Sequence, residues 1–387
     1  MKEVIRNIVY LIYSAICNAL YKQEKNTILF SSFAGASYSD NPKAISIVMH
    51  KMYPEIKQKW IINNDNDHNF PKYVEVIKIN SVFDVIRWIS KSQAIVLNYE
   101  FLPVIKRKRH LFVQVWHGDR GFKKILYDSN FVSKWYVAFE RFSGFCDYAV
   151  AGSNYGENTY RTAFKYEGII TKFGCPRNDI LLSSDVENKA SIIKNNLGIS
   201  NDKYIIMYAP TLRREATYSD GNKQIAIIDL KNVINICEKK LSKKIVCLVR
   251  AHPGVNGIQY TYSDCIINVS KYDDMTDLLM VSDMLITDYS SSAGDFALLN
   301  RPIILFQPDI EEYTKKDRSF YFDINDSPYI IAKSQNELEA IVKKIDTIDF
   351  FENCHNILDF YCTYESGESS QKISEIIYQN MVRLNKY

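Results

Sequence analysis

Short uninterrupted apolar runs alternate along most of this chain with stretches whose apolar residues recur at a helical period. From Thr27 onward the runs at 28–33, 59–63, 73–79, 94–97, 111–115, 147–151 and 169–173 read as strands. Between them, helical patterns run to about Met52, through Arg87 and Trp88, and over 154–164. The Gly/Pro/Asn/Asp cluster at 174–179 then punctuates the chain and predicts a domain boundary. The rhythm resumes with strands at 204–208, 244–249, 266–269, 284–286 and 303–306. Helices are expected at 230–241, 275–281 and 293–300, with a polar loop at 216–224 and a terminal helix from Gly367. Apolar runs of this kind are strands buried on both faces of a parallel sheet. The prediction is an α/β chain with domains at 26–180 and 181–387, the second carrying the terminal helix.

Residues 1–25 follow another pattern. Lys2, Arg6, Lys22 and Lys25 flank an uncharged stretch, 7–21, which is shorter than the ~20 apolar residues of a spanning helix. It has no small-x-small cleavage site, so a signal peptide is not expected. As a helix it sets aromatic and aliphatic residues between basic ones, which suits a membrane interface. Docking on the protein's own core is the alternative.

Composition changes this picture little. A length of 387 residues suits two domains that each bury a core. The 27 tyrosines suggest amphipathic surfaces or a carbohydrate-like ligand. A net charge of only +3 leaves attraction to polyanions to local patches, and no nucleic-acid partner is expected. The run Lys106-Arg107-Lys108-Arg109 reads as a solvated turn. The eight cysteines are scattered without a C-x-x-C pair, so neither a disulfide framework nor a zinc site is expected, and reduced cytosolic thiols are the default. No G-x-x-x-x-G-K-[ST] and no G-x-G-x-x-G occurs, which removes support for an NTPase or a nicotinamide enzyme.

The candidate chemistry sits at strand ends. After 284–286 come Thr287, Asp288, Ser290 and Ser291 and then a helical pattern, so hydroxyls and free backbone N–H groups meet at a helix start. An ordinary Asp/Ser helix cap would look the same. His117 follows the run 111–115, with Gly118 behind it and Lys123 and Lys124 close after. Imidazole suits a general base near neutral pH, and the lysines suit a phosphate; a buried structural histidine is the alternative. Arg213 follows 204–208, and Arg250 and His252 follow 244–249. Cationic forks and backbone donors are what a transferred phosphate requires.

Taken in order, the chain resembles the CDP-glycerol:polyglycerophosphate glycerophosphotransferases, which build teichoic acids and related polymers. The matching pieces are Tyr38-Ser39-Asp40-Asn41-Pro42, Trp116-His117-Gly118 with Lys123-Lys124, Gly174 with Pro176-Arg177-Asn178-Asp179, and Ala209-Pro210-Thr211 with Arg213. They continue with Arg250, His252-Pro253, Leu285-Ile286-Thr287-Asp288-Tyr289-Ser290-Ser291 with Asp295-Phe296, Arg301-Pro302 and Glu311-Glu312-Tyr313. The resemblance implies a GT-B architecture of two Rossmann-like domains, an acceptor half and a nucleotide-donor half, in a peripheral enzyme on the cytoplasmic face of a bacterial membrane. With the strand-end chemistry, it implies that His117 activates an acceptor hydroxyl against the β-phosphorus of CDP-glycerol, and CMP leaves. His252, Arg250 and Arg213 would hold the diphosphate charge; Thr287, Asp288, Ser290 and Ser291 would bind the donor, and Asp295 its ribose. Lys123, Lys124 and Asp119 are candidate acceptor or phosphate contacts. No protein-held metal is expected, with Mg²⁺ carried, if at all, on the donor diphosphate. The acceptor would be a polyprenyl-diphosphate-linked glycan or growing polymer.

Asp119-Arg120-Gly121 stands where the family commonly has Thr-Pro, and Gln371-Lys372 stands where an arginine is usual. The alternatives are a CDP-ribitol enzyme, a GT-B glycosyltransferase or epimerase acting on a nucleotide sugar, and a catalytically silent scaffold.

Overall fold

The computed structural model describes residues 2–63, 69–99, 102–129, 146–211, 213, 227–251, 263–316 and 319–386. It divides into two units. The first comprises Met1–Asp119, Ile125–Ile180 and Thr363–Tyr387; the second comprises Arg120–Lys124 and Leu181–Cys362.

The first unit is built on β1 (Thr27–Ser31), β2 (Lys57–Ile62), β3 (Val74–Lys78), β4 (Ala94–Leu97), β5 (Leu111–Gln114), β6 (Tyr148–Ala151) and β7 (Ile169–Lys172). These form one sheet in the order β3-β2-β1-β4-β5-β6-β7, and every pair is parallel. Alternate residues of the inner strands feed two cores. Ile28 and Phe30 join Trp60, Val96 and Val113 on one face; Leu29 joins Ile61, Ile95 and Phe112 on the other. Both faces need a helical cover, which explains the continuous apolar runs.

The terminal helix, Ser369–Leu384, supplies part of that cover. The sequence reading placed it with the C-terminal domain, but Ile373, Ile377 and Met381 lie in the first unit's core beside Ile45 and Met49 of helix Asp40–Met52. The four-residue spacing of those three residues makes an apolar stripe that this sheet face buries. Gln93 fixes the end of the helix by donating to the Met381 carbonyl at 3.0 Å.

The amino-terminal helix, Lys2–Leu20, packs on helix Val82–Lys91, where Tyr10 and Tyr13 meet the edge of Phe83. Its end is held by the loop before β5. There the Arg107 amide donates to His110 Nδ1 at 3.2 Å, and His110 is 2% exposed. Burial, aided by Arg107 and Lys106, pushes the His110 pKa from 6.5 down to about 3. The unfolded chain therefore takes up a proton below pH 6.5 that the folded chain refuses until about pH 3. Stability is full above pH 6.5 and erodes as pH falls through that window, by on the order of 4 kcal/mol from this group. His110→Asn keeps an acceptor and cannot titrate, so its urea-unfolding free energy should fall less steeply between pH 6.5 and 3.

The second unit carries β8 (Tyr204–Ala209), β9 (Ile245–Val249), β10 (Ile266–Asn268), β11 (Met284–Thr287), β12 (Ile303–Phe306) and β13 (Ile331–Ala332). The sheet order is β10-β9-β8-β11-β12-β13, again parallel throughout. In both units the order reverses beside the first strand, between β1 and β4 in one and between β8 and β11 in the other. In open parallel sheets, such a reversal marks the place beyond the strands' carboxyl ends where ligands bind.

Candidate active site

In the first unit that place is occupied by His117. Phe33 follows β1, Asn98 follows β4, and His117 follows β5. The His117 ring meets Phe33 with centroids 5.2 Å apart, and its Nδ1 lies 2.6 Å from the Asn98 carbonyl oxygen. A carbonyl only accepts, so the hydrogen bond assigns the proton of the neutral imidazole to Nδ1 and makes Nε2 the basic nitrogen. Asn98 is fully buried and is itself fixed, its Oδ1 accepting from the Phe33 amide at 2.8 Å.

Three separated sequence motifs converge to hold this turn. Asn41 Nδ2 donates to the carbonyls of Val115 at 2.7 Å and Trp116 at 2.9 Å, while its Oδ1 accepts from the Arg177 amide at 3.0 Å. Arg177 pairs with Asp40 at 3.4 Å. Glu365 closes the far side of the 174–179 turn by accepting from the Cys175 amide and from Asn178.

Asp119 and Arg120, neighbours in sequence, serve different units. Asp119 was expected as an acceptor contact, yet it is 4% exposed and accepts from the Gly152 amide at 2.7 Å and from Ser153 Oγ at 2.6 Å. It thereby sits over the start of helix Asn154–Thr162, where a carboxylate favours the dipole. A Cβ on Gly156 would lie 1.8 Å from Asp119 Oδ2, so this approach requires glycine. Arg120 belongs to the second unit. Its side chain is fully buried and donates from Nη1 to Asp295 at 2.8 Å. Asp295 was expected to bind the donor ribose; here it holds Arg120 on helix Ser292–Phe296, against Gly294, which has no side chain to obstruct it. Lys123 and Lys124 ride on the same segment. Lys123 bridges to Phe320 in antiparallel fashion, and the Lys124 amide donates to the Ser319 carbonyl at 2.9 Å.

The second unit's reversal point is filled by a charged network. Asp288, past β11, accepts from the amides of Thr211 at 2.9 Å and Tyr289 at 2.6 Å and pairs with Arg213. Arg213 also donates to both oxygens of Asp309, at 2.8 and 3.0 Å, and to the Thr211 carbonyl at 2.8 Å. Tyr289 and Tyr313, stacked 3.9 Å apart, cover its guanidinium at 4.9 and 5.2 Å. Burial alone disfavours the Arg213 charge, but Asp288 and Asp309 outweigh it and raise its pKa. Thr287 is spent as well, its hydroxyl donating to the Ala209 carbonyl at 2.6 Å.

The donor-site residues expected from sequence therefore separate into two kinds. Arg213, Asp288, Thr287 and Asp295 build the corner. Ser290 and Ser291 remain half-buried at its mouth, with Ser290 Oγ 2.8 Å from Ser292 Oγ. Arg250, past β9, has Nη1 buried without a hydrogen-bond partner, and burial depresses its pKa against the pull of Asp274, Asp273 and Asp277. His252 lies outside the described residues. The corner's helix is also shorter than expected: Ser292–Phe296 gives way to a 3-10 turn, Ala297–Leu299, which ends on Asn300 at φ 54°.

The profile of the CDP-glycerol:poly(glycerophosphate) glycerophosphotransferase family matches residues 13–379. The chain belongs to that family. The match spans both units and takes in His117, Arg213, Arg250 and the 287–295 corner. Among relatives, the teichoic acid poly(glycerol phosphate) polymerase of Bacillus subtilis strain 168 is 31% identical over 377 residues, which cover 92% of this chain and 49% of that one. The chain thus spans about half the length of the first relatives it matches. The teichoic acid glycerol-phosphate transferase of Staphylococcus aureus is 29% identical, with 98% of this chain and 99% of that one covered. The solved structure of the wall teichoic acid polymerase TagF aligns at TM-score 0.83 and 28% identity, over 99% and 98% of the two chains.

Within this family chain, sequence reasoning missed Asn98, Asp309 and the partner of Arg120. Asp309 follows β12 as Asp288 follows β11, so the strand-end rule that found Asp288 extends to it. Asn98 acts through its main chain, which no side-chain pattern reveals.

Proposed function

We propose that this chain transfers glycerol phosphate from CDP-glycerol to a hydroxyl of a membrane-linked glycan or polymer, releasing CMP, in teichoic-acid-type polymer synthesis. The reading is carried by the Nδ1 hydrogen bond of His117 to Asn98, which prepares Nε2 to take the hydroxyl proton as the oxygen attacks phosphorus. In this reading the two doubly wound units are the halves of a GT-B enzyme, the first serving the acceptor and the second the donor.

Arg250, with an unspent buried donor, and His252 hold the diphosphate; Ser290 and Ser291 contact it at the mouth of the corner. Arg213, Asp288 and Thr287 act behind them, by fixing the backbone that presents those donors. In this reading those cations meet the negative charge growing on the leaving CMP, which is where transition-state stabilisation is largest. The reading calls for no metal held by protein side chains, and Mg²⁺ travelling with the donor diphosphate is compatible with it.

In this reading catalysis takes place at the cytoplasmic face of a bacterial membrane. Among the described residues no helix is long and apolar enough to cross a membrane. Helix Lys2–Leu20 instead exposes Ile5, Ile12 and Leu20 at 54, 56 and 72%.

A ribitol donor is the nearest competitor, since the teichoic acid poly(ribitol-phosphate) polymerase of Bacillus spizizenii is 28% identical over 72% of this chain. Incubating the protein with a lipid-linked acceptor and either CDP-glycerol or CDP-ribitol tests the choice. CMP release is expected with the glycerol donor; release with CDP-ribitol alone would reassign the alditol.

A further inference from the structure

Helix Lys2–Leu20 ends where the charge run 106–109 turns back onto it. Arg107 donates to the carbonyls of Cys17 at 3.2 Å, Asn18 at 2.6 Å and Tyr21 at 2.7 Å. The Cys17 carbonyl already accepts from the Tyr21 amide at 2.9 Å, and the guanidinium adds to it and takes up the Asn18 and Tyr21 carbonyls at the helix end, so this arginine is committed to capping. Beside it opens a cleft of about 780 Å³, whose walls also carry Lys22, Lys25, Lys57, Lys108 and Arg109. One carboxylate, Glu24, lines the cleft, and it is paired with Lys59 at 2.9 Å. The five remaining cations have no ion-pair partner among the described residues. Like charges gathered in a concavity repel one another and focus a positive potential that an anion relieves. The volume is that of a small-molecule site and suits a phosphate-bearing headgroup.

A second observation identifies the source of that anion. Val4, Ile8, Ile12, Ile16 and Leu20 recur at four-residue intervals along the helix, and all are exposed. The stripe finishes two residues before Lys22, the first cation of the cleft. An exposed apolar stripe that ends beside a basic cleft matches an anionic bilayer in chemistry: acyl chains for the stripe, headgroup phosphate for the lysines.

We propose that this cleft binds the phosphate headgroup of an anionic lipid while the stripe of helix Lys2–Leu20 lies in the same leaflet. The proposal deepens the membrane placement given above and rests on it. The cations act as a docking site for the enzyme, separate from the residues assigned to transfer.

The test uses the full chain and vesicles of phosphatidylcholine, with or without phosphatidylglycerol, read by co-sedimentation. Binding is expected to depend on phosphatidylglycerol and to fall with salt. The combined Lys22→Gln, Lys25→Gln, Lys108→Gln and Arg109→Gln variant should lose affinity for these vesicles by on the order of 100-fold or more. Its urea-unfolding midpoint and its CMP release with a detergent-dispersed acceptor should be unchanged. Ile8→Ser with Ile12→Ser should weaken binding while leaving the salt dependence in place. Equal binding of wild type and the combined variant, or binding indifferent to phosphatidylglycerol, would overturn the proposal. Displacement of the chain from vesicles by millimolar free glycerol phosphate would overturn the lipid assignment in favour of a soluble anion. If wild type releases no CMP while the vesicle results hold, the transferase reading fails and this site stands.

Discussion

His117→Ala is expected to slow CMP release by about 10²–10⁴-fold, the range for loss of a positioned general base. Affinity for CDP-glycerol should stay within roughly a factor of three of wild type, because in this account the imidazole acts on the acceptor. His117→Asn is the sharper variant. An amide nitrogen can still donate to the Asn98 carbonyl, so the turn past β5 is preserved while the basic nitrogen is lost. Both variants should fail equally at the chemical step. Donor affinity measured by calorimetry alongside single-turnover rates separates this outcome from misfolding. Turnover in either variant near the wild-type rate would remove His117 from the role.

The second large effect concerns stability. Arg213→Ala should destabilise the second unit by about 3–5 kcal/mol, since it leaves Asp288 buried without its counter-charge. Asp309 is partly exposed, and Asp309→Asn should cost less, about 1–3 kcal/mol. Arg213→Lys keeps the charge but cannot reach Asp288, Asp309 and Thr211 together, so it should behave more like alanine than like wild type. Urea-unfolding curves check all three. An Arg213→Lys protein of wild-type stability that no longer binds CDP-glycerol would show the arginine to be a ligand contact, the role first assigned from sequence.

That contrast marks where sequence reasoning was strong and where it stopped. Strands such as Ala94–Leu97 and helices such as Leu230–Leu241 and Met275–Val281 were legible because apolar runs and 3.6-residue periods are local signals. Both sheets followed, and so did the clustering of polar chemistry at strand ends. What stayed hidden is whatever depends on partners distant in sequence. Arg120 meets Asp295 across 175 positions, and Arg213 meets Asp309 across 96. A basic or acidic residue at a strand end looks the same whether it awaits a ligand or is satisfied by its own protein. Hence Asp119, Arg213 and Asp288 read as binding residues, while their hydrogen bonds and ion pairs to Ser153, Asp309 and Thr211, distant in sequence, went unseen. Asn41 shows the same limit from the other side. It was seen only as part of a motif, yet its amide ties the turn bearing His117 to the 174–179 cluster. The terminal helix was recognised as a helix, but its place on the first sheet depends on which face lacked cover.

The central claim is that a P–O bond of the donor diphosphate breaks and the alditol leaves with its phosphate. CDP-glycerol labelled at the β-phosphorus, incubated with this protein and an acceptor, tests it directly. The account predicts label in the acceptor product and unlabelled CMP in equal amount. Label recovered in a released nucleoside diphosphate, with the acceptor unlabelled, would mean that the carbon–oxygen bond is broken instead and would contradict it.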